Sequence, residues 1–183
     1  MTRPDSRDAP HLFGLGLQEM LADEITKDLR ATRAQAIQAA QSFGTPITLN
    51  LTSKGISYGK IRALPNGTVD TSQVVGVNAS LRVMPFFAEG GTASIREFAI
   101  GAFKAEMGLE SPDEVLCAVT DSISPQARVS PAGFNFDPTQ DTFERPPVCS
   151  TSADGDGVTN EIDTALVDHM EFYLLNYFKA GTG

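Results

Sequence analysis

The residues best suited to chemistry crowd toward the C-terminal end, in the stretch SADGDGVTNEID from Ser152 to Asp163. A calcium loop places oxygen ligands at alternating positions, a glycine at the sixth for the sharp turn, and a carboxylate at the twelfth. Counted from Ser152, Asp154 is third, Asp156 fifth, Gly157 sixth, Asn160 ninth and Asp163 twelfth. Serine at the first position removes a formal charge and weakens affinity, whereas aspartate at the twelfth is merely shorter than the usual glutamate. The same residues also read as a helix start. Thr159 or Asn160 can cap the following helix, and acidic side chains in a first turn are stabilising by ~0.3–1 kcal/mol each at the positive end of the helix dipole. The two readings are compatible, with Asp154 and Asp156 facing an ion while Thr159 or Asn160 opens the helix. Either role is structural, with no water activation implied.

Other reactive side chains are few. His169 sits one turn from Phe172 and two turns from Asn176 on one helical face. Its expected role is that of a hydrogen-bonded core or interface residue rather than a metal or haem ligand. Cys117 and Cys149 lack CxxC or CxxCH spacing, so the chain encodes no thiolate metal site and no covalent haem attachment of its own. A mutual disulfide and a pair of separate thiols stand equally open. Gly14 and Gly16 have no preceding strand, which argues against a phosphate-cradling loop.

Composition narrows the partners. With 14 Lys and Arg against 23 Asp and Glu, a formal charge of −9 and no basic stripe, nucleic acid and anionic membrane are excluded as expected partners. The most apolar run, Phe172 to Phe178, is interrupted by Asn176 and too short to span a bilayer, and the opening MTRPDSRDAP lacks the apolar core of an export signal. At 183 residues, 41% hydrophobic and 20% charged, the chain is expected to fold as one domain.

The elements that must position these residues follow from periodicity. Residues 1–44 read as an N-terminal loop and an amphipathic helix from Glu19 to about Phe43, with Leu21, Ile25, Leu29, Ala36, Ala40 and Phe43 on one stripe and Asp23, Lys27, Asp28, Arg30 and Arg33 on the other faces. Gly44, Thr45 and Pro46 end it. Residues 45–75 alternate around turns at Ser53-Lys54-Gly55 and Pro65-Asn66-Gly67 and read as an antiparallel meander of two or three strands, one face covered by helix. Residues 76–121 are helical, with Ser94 and Glu97 in capping-box order, a helix to Met107, a stop at Gly108 and a short helix from Asp113 to Val119. Residues 122–151 read as a proline-rich connecting loop. Residues 152–183 hold the candidate calcium loop and a terminal helix to about Lys179, apolar nearly all round. Such a helix either runs through the middle of the fold or lacks a surface that covers it. The fold class is therefore α+β, mainly helical, around a small antiparallel meander.

Four segments carry a resemblance: PHLFGLGLQEMLADEIT (His11 to Thr26 within it), SLRVMPFFAEGGTASIREFAIGAFKAEMGL (Ser80 to Leu109), DGDGVTNEID (Asp154 to Asp163) and ALVDHMEFYLLNYFKAGTG (Ala165 to Gly183). Together they are similar to the di-haem oxidoreductases related to bacterial cytochrome c peroxidase, and Leu81-Arg82 followed by Pro85-Phe86-Phe87 and Gly90-Gly91 resembles the LR…PY.HDG pattern of the wider peroxidase group. The resemblance implies c-type haems, a periplasmic or exported location, an electron-donor protein, and electron transfer to a peroxide or related substrate. It also implies that this chain corresponds to the region between the two haem-binding portions. The chain itself carries no CxxCH, so haem c would belong to flanking portions or to haem-bearing partner chains, and the chain alone is expected to be inactive. In this setting Glu89 stands where relatives often carry histidine and is the candidate acid/base. Arg82 is a candidate partner for a haem propionate, and otherwise an ordinary surface or interface arginine. His169 is placed near haem by the same resemblance. The alternative function is a non-enzymatic, calcium-stabilised scaffold or partner-binding module.

Overall fold

The computed structural model describes residues 12–87, 90–146, 149 and 161–177. The first helix, α1 (Leu15–Phe43), buries Leu15, Ala22, Ile25, Leu29, Ala36 and Ala40 at helical spacing. It starts one turn earlier than the periodicity predicts because Leu15 and Glu19, facing inward, already have partners. Leu21 and Phe43, expected on the buried stripe, are exposed. Gly44, at φ 66, ends the helix in the left-handed conformation that a β-carbon disfavours.

The meander forms as expected. Strands β1 (Ile47–Ser53) and β2 (Ile56–Ala63) pair antiparallel, and β3 (Val69–Asp70) pairs with β2. Lys54 and Gly55 both have positive φ, as a two-residue hairpin turn of matching twist requires. Leu51, Ile61 and Ala63 point at α1 and close one core with Ile25, Leu29, Ala36, Ala40 and Leu81.

Helix α2 (Ile95–Met107) opens on the reciprocal Ser94–Glu97 capping box and stops at left-handed Gly108, and α3 (Glu114–Val119) is capped by Asp113. The proline-rich segment departs from expectation. It contains a hairpin, β4 (Arg128–Val129) with β5 (Asn135–Phe136), and sends Phe134, Phe136 and Phe143 into a second core with Ile100, Leu116, Val119, Ile162 and Val167. The segment is anchored by its aromatics, and a disulfide between Cys117 and Cys149 ties its far end to α3.

The last helix, α4 (Thr164–Asn176), also differs. Its cap is Asp163, whose carboxylate accepts from the Ala165 amide at 2.8 Å, while Thr159 and Asn160 lie outside the described residues. Only one stripe, Val167, Glu171 and Leu174, is buried; Leu166, Phe172 and Tyr173 are 45%, 63% and 53% exposed. The helix therefore lies on the surface. Gly16 of α1 meets it so closely that a β-carbon there would sit 2.0 Å from the Leu175 carbonyl oxygen. The architecture is a mixed α+β fold, with the small antiparallel sheet on one half of α1 and α2 and α4 on the other.

Candidate functional site

Two arrangements of charge distinguish this fold, one buried and one open to solvent. The buried one centres on Arg96, in the first turn of α2. Its Nε donates to Asp113 Oδ2 and its Nη1 to Glu171 Oε2, each at 2.8 Å, while Ser130 Oγ donates to the other oxygen of Glu171 at 2.7 Å. Asp168 Oδ1 stands 2.8 Å from the same Nη1. Burial works against the Arg96 charge, but Asp113 and Glu171 outweigh it and hold the guanidinium protonated. Burial pushes the Glu171 carboxyl up, against the opposing pull of Ser130 and Arg96. The cluster joins α2, α3, the β4–β5 hairpin and α4, which makes it a fastening between elements rather than a reaction centre.

Glu19 lies at the seam of α1 and α2. It is 6% exposed, and its Oε2 accepts from the Ile95 amide at 2.6 Å, where the N-terminus of α2 presents unpaired donors. Burial nevertheless dominates, and with Asp23 and Glu171 nearby the carboxyl is pushed up to about 7, against the pull of the Ile95 bond and Arg82. Glu97 is raised in the same way by burial, although its oxygens accept from the amides of Ala93, Ser94 and Glu144.

The open arrangement is a cleft of about 480 Å³ between α1, the strand-like run at Arg82 and the β4–β5 hairpin with its following turn. Leu81 is held at φ 64, a conformation costing a residue with a β-carbon about 1–2 kcal/mol, and its side chain is fully buried. Asn78 Oδ1 accepts from the Arg82 amide at 3.1 Å and fixes the turn. Arg82 is thereby sunk into the cleft wall, its guanidinium 5.0 Å from the centre of the Phe134 ring, 2.8 Å from Asp23 and 3.8 Å from Asp141. Arg30, two turns along α1 from Asp23, bonds Asp141 at 2.5 Å through Nη2 and also reaches the Ser80 and Gln140 carbonyls.

The expected site residues are thus dispersed. Arg82 is not a surface arginine, since it is 6% exposed and lies beside Asp23 in the cleft wall. His169 is exposed on α4, which rules out a core role, and it shares a face with Phe172 and Asn176 as the spacing predicts. Glu89, Ser152, Asp154, Asp156 and Asn160 lie outside the described residues; Asp163 spends one carboxylate oxygen on its own helix. Among the described residues, no three His, Cys, Asp or Glu side chains gather closely enough to hold a metal ion. Asp23 and Arg30, assigned by periodicity to the outer faces of α1, line the cleft instead; their partners are remote in sequence, which no local pattern signals.

A third feature is apolar. Phe13 stacks on Tyr177 at 5.0 Å between ring centres, and Tyr177 on Tyr173 at 4.9 Å. Leu17, Met20 and Leu21 of α1 and Phe172 of α4 are also exposed. Both helices thus carry large apolar side chains that the described residues leave exposed. No helix among the described residues is long and apolar enough to cross a membrane. Comparison with protein-family models, with curated proteins and with solved structures finds no match to this chain.

Proposed function

We propose that this chain is a portion of a c-type di-haem peroxidase-like oxidoreductase, acting with haem-bearing portions that flank it or sit on partner chains, in electron transfer from a donor protein to a peroxide or related substrate. The observation that supports the reading most is spatial. The segments that carry the resemblance are far apart in sequence, yet the start of α1, the run from Ser80 through α2, and α4 pack as one unit. Leu15, Phe86, Ile95 and Leu174 share one core cluster, Glu19 accepts from Ile95, and the Gly14 amide donates to the Tyr177 carbonyl at 2.9 Å. The resemblance therefore falls on residues that depend on each other physically.

The chain has no CxxCH and so anchors no haem c of its own. No catalytic step is assigned to it, and its contribution in this reading is a packed surface. The exposed apolar residues of α1 and α4 are suited to cover an apolar haem-bearing portion, and a disulfide fits an exported, oxidising location. A calcium ion in the Ser152 to Asp163 loop would tie the proline-rich segment to α4. A calorimetric titration without calcium heat would leave only the Asp163 cap.

The test is to express the whole coding region that contains this chain with c-type haem maturation in a periplasm, and to measure covalent haem and peroxide-dependent oxidation of a reduced donor. Two haems accompanying the chain, in the same polypeptide or a co-purified one, are expected. A coding region without CxxCH, and no haem-bearing chain co-purifying, would overturn the reading.

A further inference from the structure

The cleft at Arg82 has no role in the haem reading, and its charges are unevenly satisfied. Asp141 is held by Arg30, and Asp137 accepts from Thr139 and Gln140. Arg82 differs. Its side chain is 7% exposed, and its Nη2 is 2.8 Å from Asp23 Oδ1, yet Nε, Nη2 and that carboxylate oxygen all lack a hydrogen bond. The pair is close but misaligned. Nε and Nη2 form the side-on edge of the guanidinium, the edge that receives a planar carboxylate through two parallel bonds. Leaving such buried donors unmet is costly.

Asp23 has a second partner within reach. Lys27 lies four residues further along α1, acid before base, the order that favours an ion pair on a helix surface. Lys27 is exposed and makes no ion pair among the described residues. Lys27, Arg30 and Arg82 balance Asp23, Asp137 and Asp141, so the cleft is neutral and its distinguishing feature is the unmet edge of Arg82 rather than a net charge.

We propose that this cleft binds a small organic acid, whose carboxylate takes the Nε and Nη2 edge of Arg82 while Asp23 swings to Lys27. Nε and Nη2 are out of contact with solvent, so the acid reaches them only as Asp23 moves aside. The volume of about 480 Å³ admits a metabolite-sized molecule, and Asn135 and Gln140 provide neutral polar walls for its remaining groups. The binding is independent of haem, so its failure would leave the proposed function untouched, and the reverse.

The experiment is isothermal titration calorimetry of the full chain with lactate and with succinate, and with inorganic phosphate in parallel. Binding of a carboxylate, with phosphate much weaker, is expected. Asp23→Asn removes the internal competitor and tightens the carboxylate about tenfold, whereas Lys27→Met removes the alternative berth for Asp23 and weakens it by a similar factor. Both positions are partly or fully exposed, and shifts of opposite sign do not arise from general loss of structure. No heat from either acid, phosphate binding as tightly as the acids, or an affinity unchanged by Asp23→Asn would overturn the proposal.

Discussion

Replacing Glu19 with glutamine isolates the cost of a buried carboxylate at the α1–α2 seam. The carboxyl is raised from its ordinary 4.5 to about 7, chiefly by burial. A rise of that size corresponds to about 3 kcal/mol between the protonated and charged forms. Because the folded-state value is the higher one, the stability linked to this group is complete below pH 4.5 and is lost as pH rises through about 7. Glutamine keeps the size and the acceptor for the Ile95 amide and does not titrate. Every other carboxyl is common to both proteins, so the difference between their stability curves reports Glu19 alone. Relative to the wild type, Glu19→Gln should gain about 3 kcal/mol between about pH 4.5 and pH 8. For a chain of this length that is a relative change in melting temperature of roughly 6–12 °C. Thermal unfolding by circular dichroism across the range measures it. Parallel curves from acid to neutral pH would refute the argument that burial outweighs the helix N-terminus at this site.

Three further outcomes are expected. Reducing the Cys117–Cys149 disulfide, which spans 32 residues, should cost about 3–4 kcal/mol in urea unfolding, because it frees the unfolded chain. Arg96→Met should destabilise by ~3–5 kcal/mol, since it leaves Asp113 and Glu171 buried without a countercharge, and acidification should narrow the deficit as Glu171, whose carboxyl burial already pushes up, takes a proton. Gly16→Ala forces α1 and α4 apart at the Leu175 carbonyl and should cost ~1–3 kcal/mol by denaturant titration, with no change in helix content.

Much of the local structure was legible along the chain. The Ser94-to-Glu97 spacing foretold the start of α2, Gly108 its end, and Lys54-Gly55 the hairpin between β1 and β2. Such signals work because caps and tight turns are satisfied by residues a few positions apart. The proline-rich segment misled for the converse reason. Prolines forbid long helix and central strand, but they do not prevent Phe134, Phe136 and Phe143 from filling a core between α2, α3 and α4. Composition left open whether α4, apolar nearly all round, runs through the fold or lacks a covering surface, whereas packing buries a single stripe that includes Glu171 and leaves Leu166, Phe172 and Tyr173 exposed.

The sequence by itself determined the element types outside the proline-rich segment, the α+β class, the lack of CxxCH in this chain and the acidic balance, all of which depend on residue identity and short-range spacing. Only the tertiary structure decided the charge chemistry. Arg82 and Asp23 are 59 residues apart, Arg30 and Asp141 meet across 111, and Arg96 gathers acids from α3 and α4, because burial and pairing depend on which surfaces the folded chain brings together. A charged residue on the outer face of a helix looks solvated until another segment crosses it, and in this fold the turn at Gln140 and Asp141 does so at Arg30 and the run at Arg82 does so at Asp23.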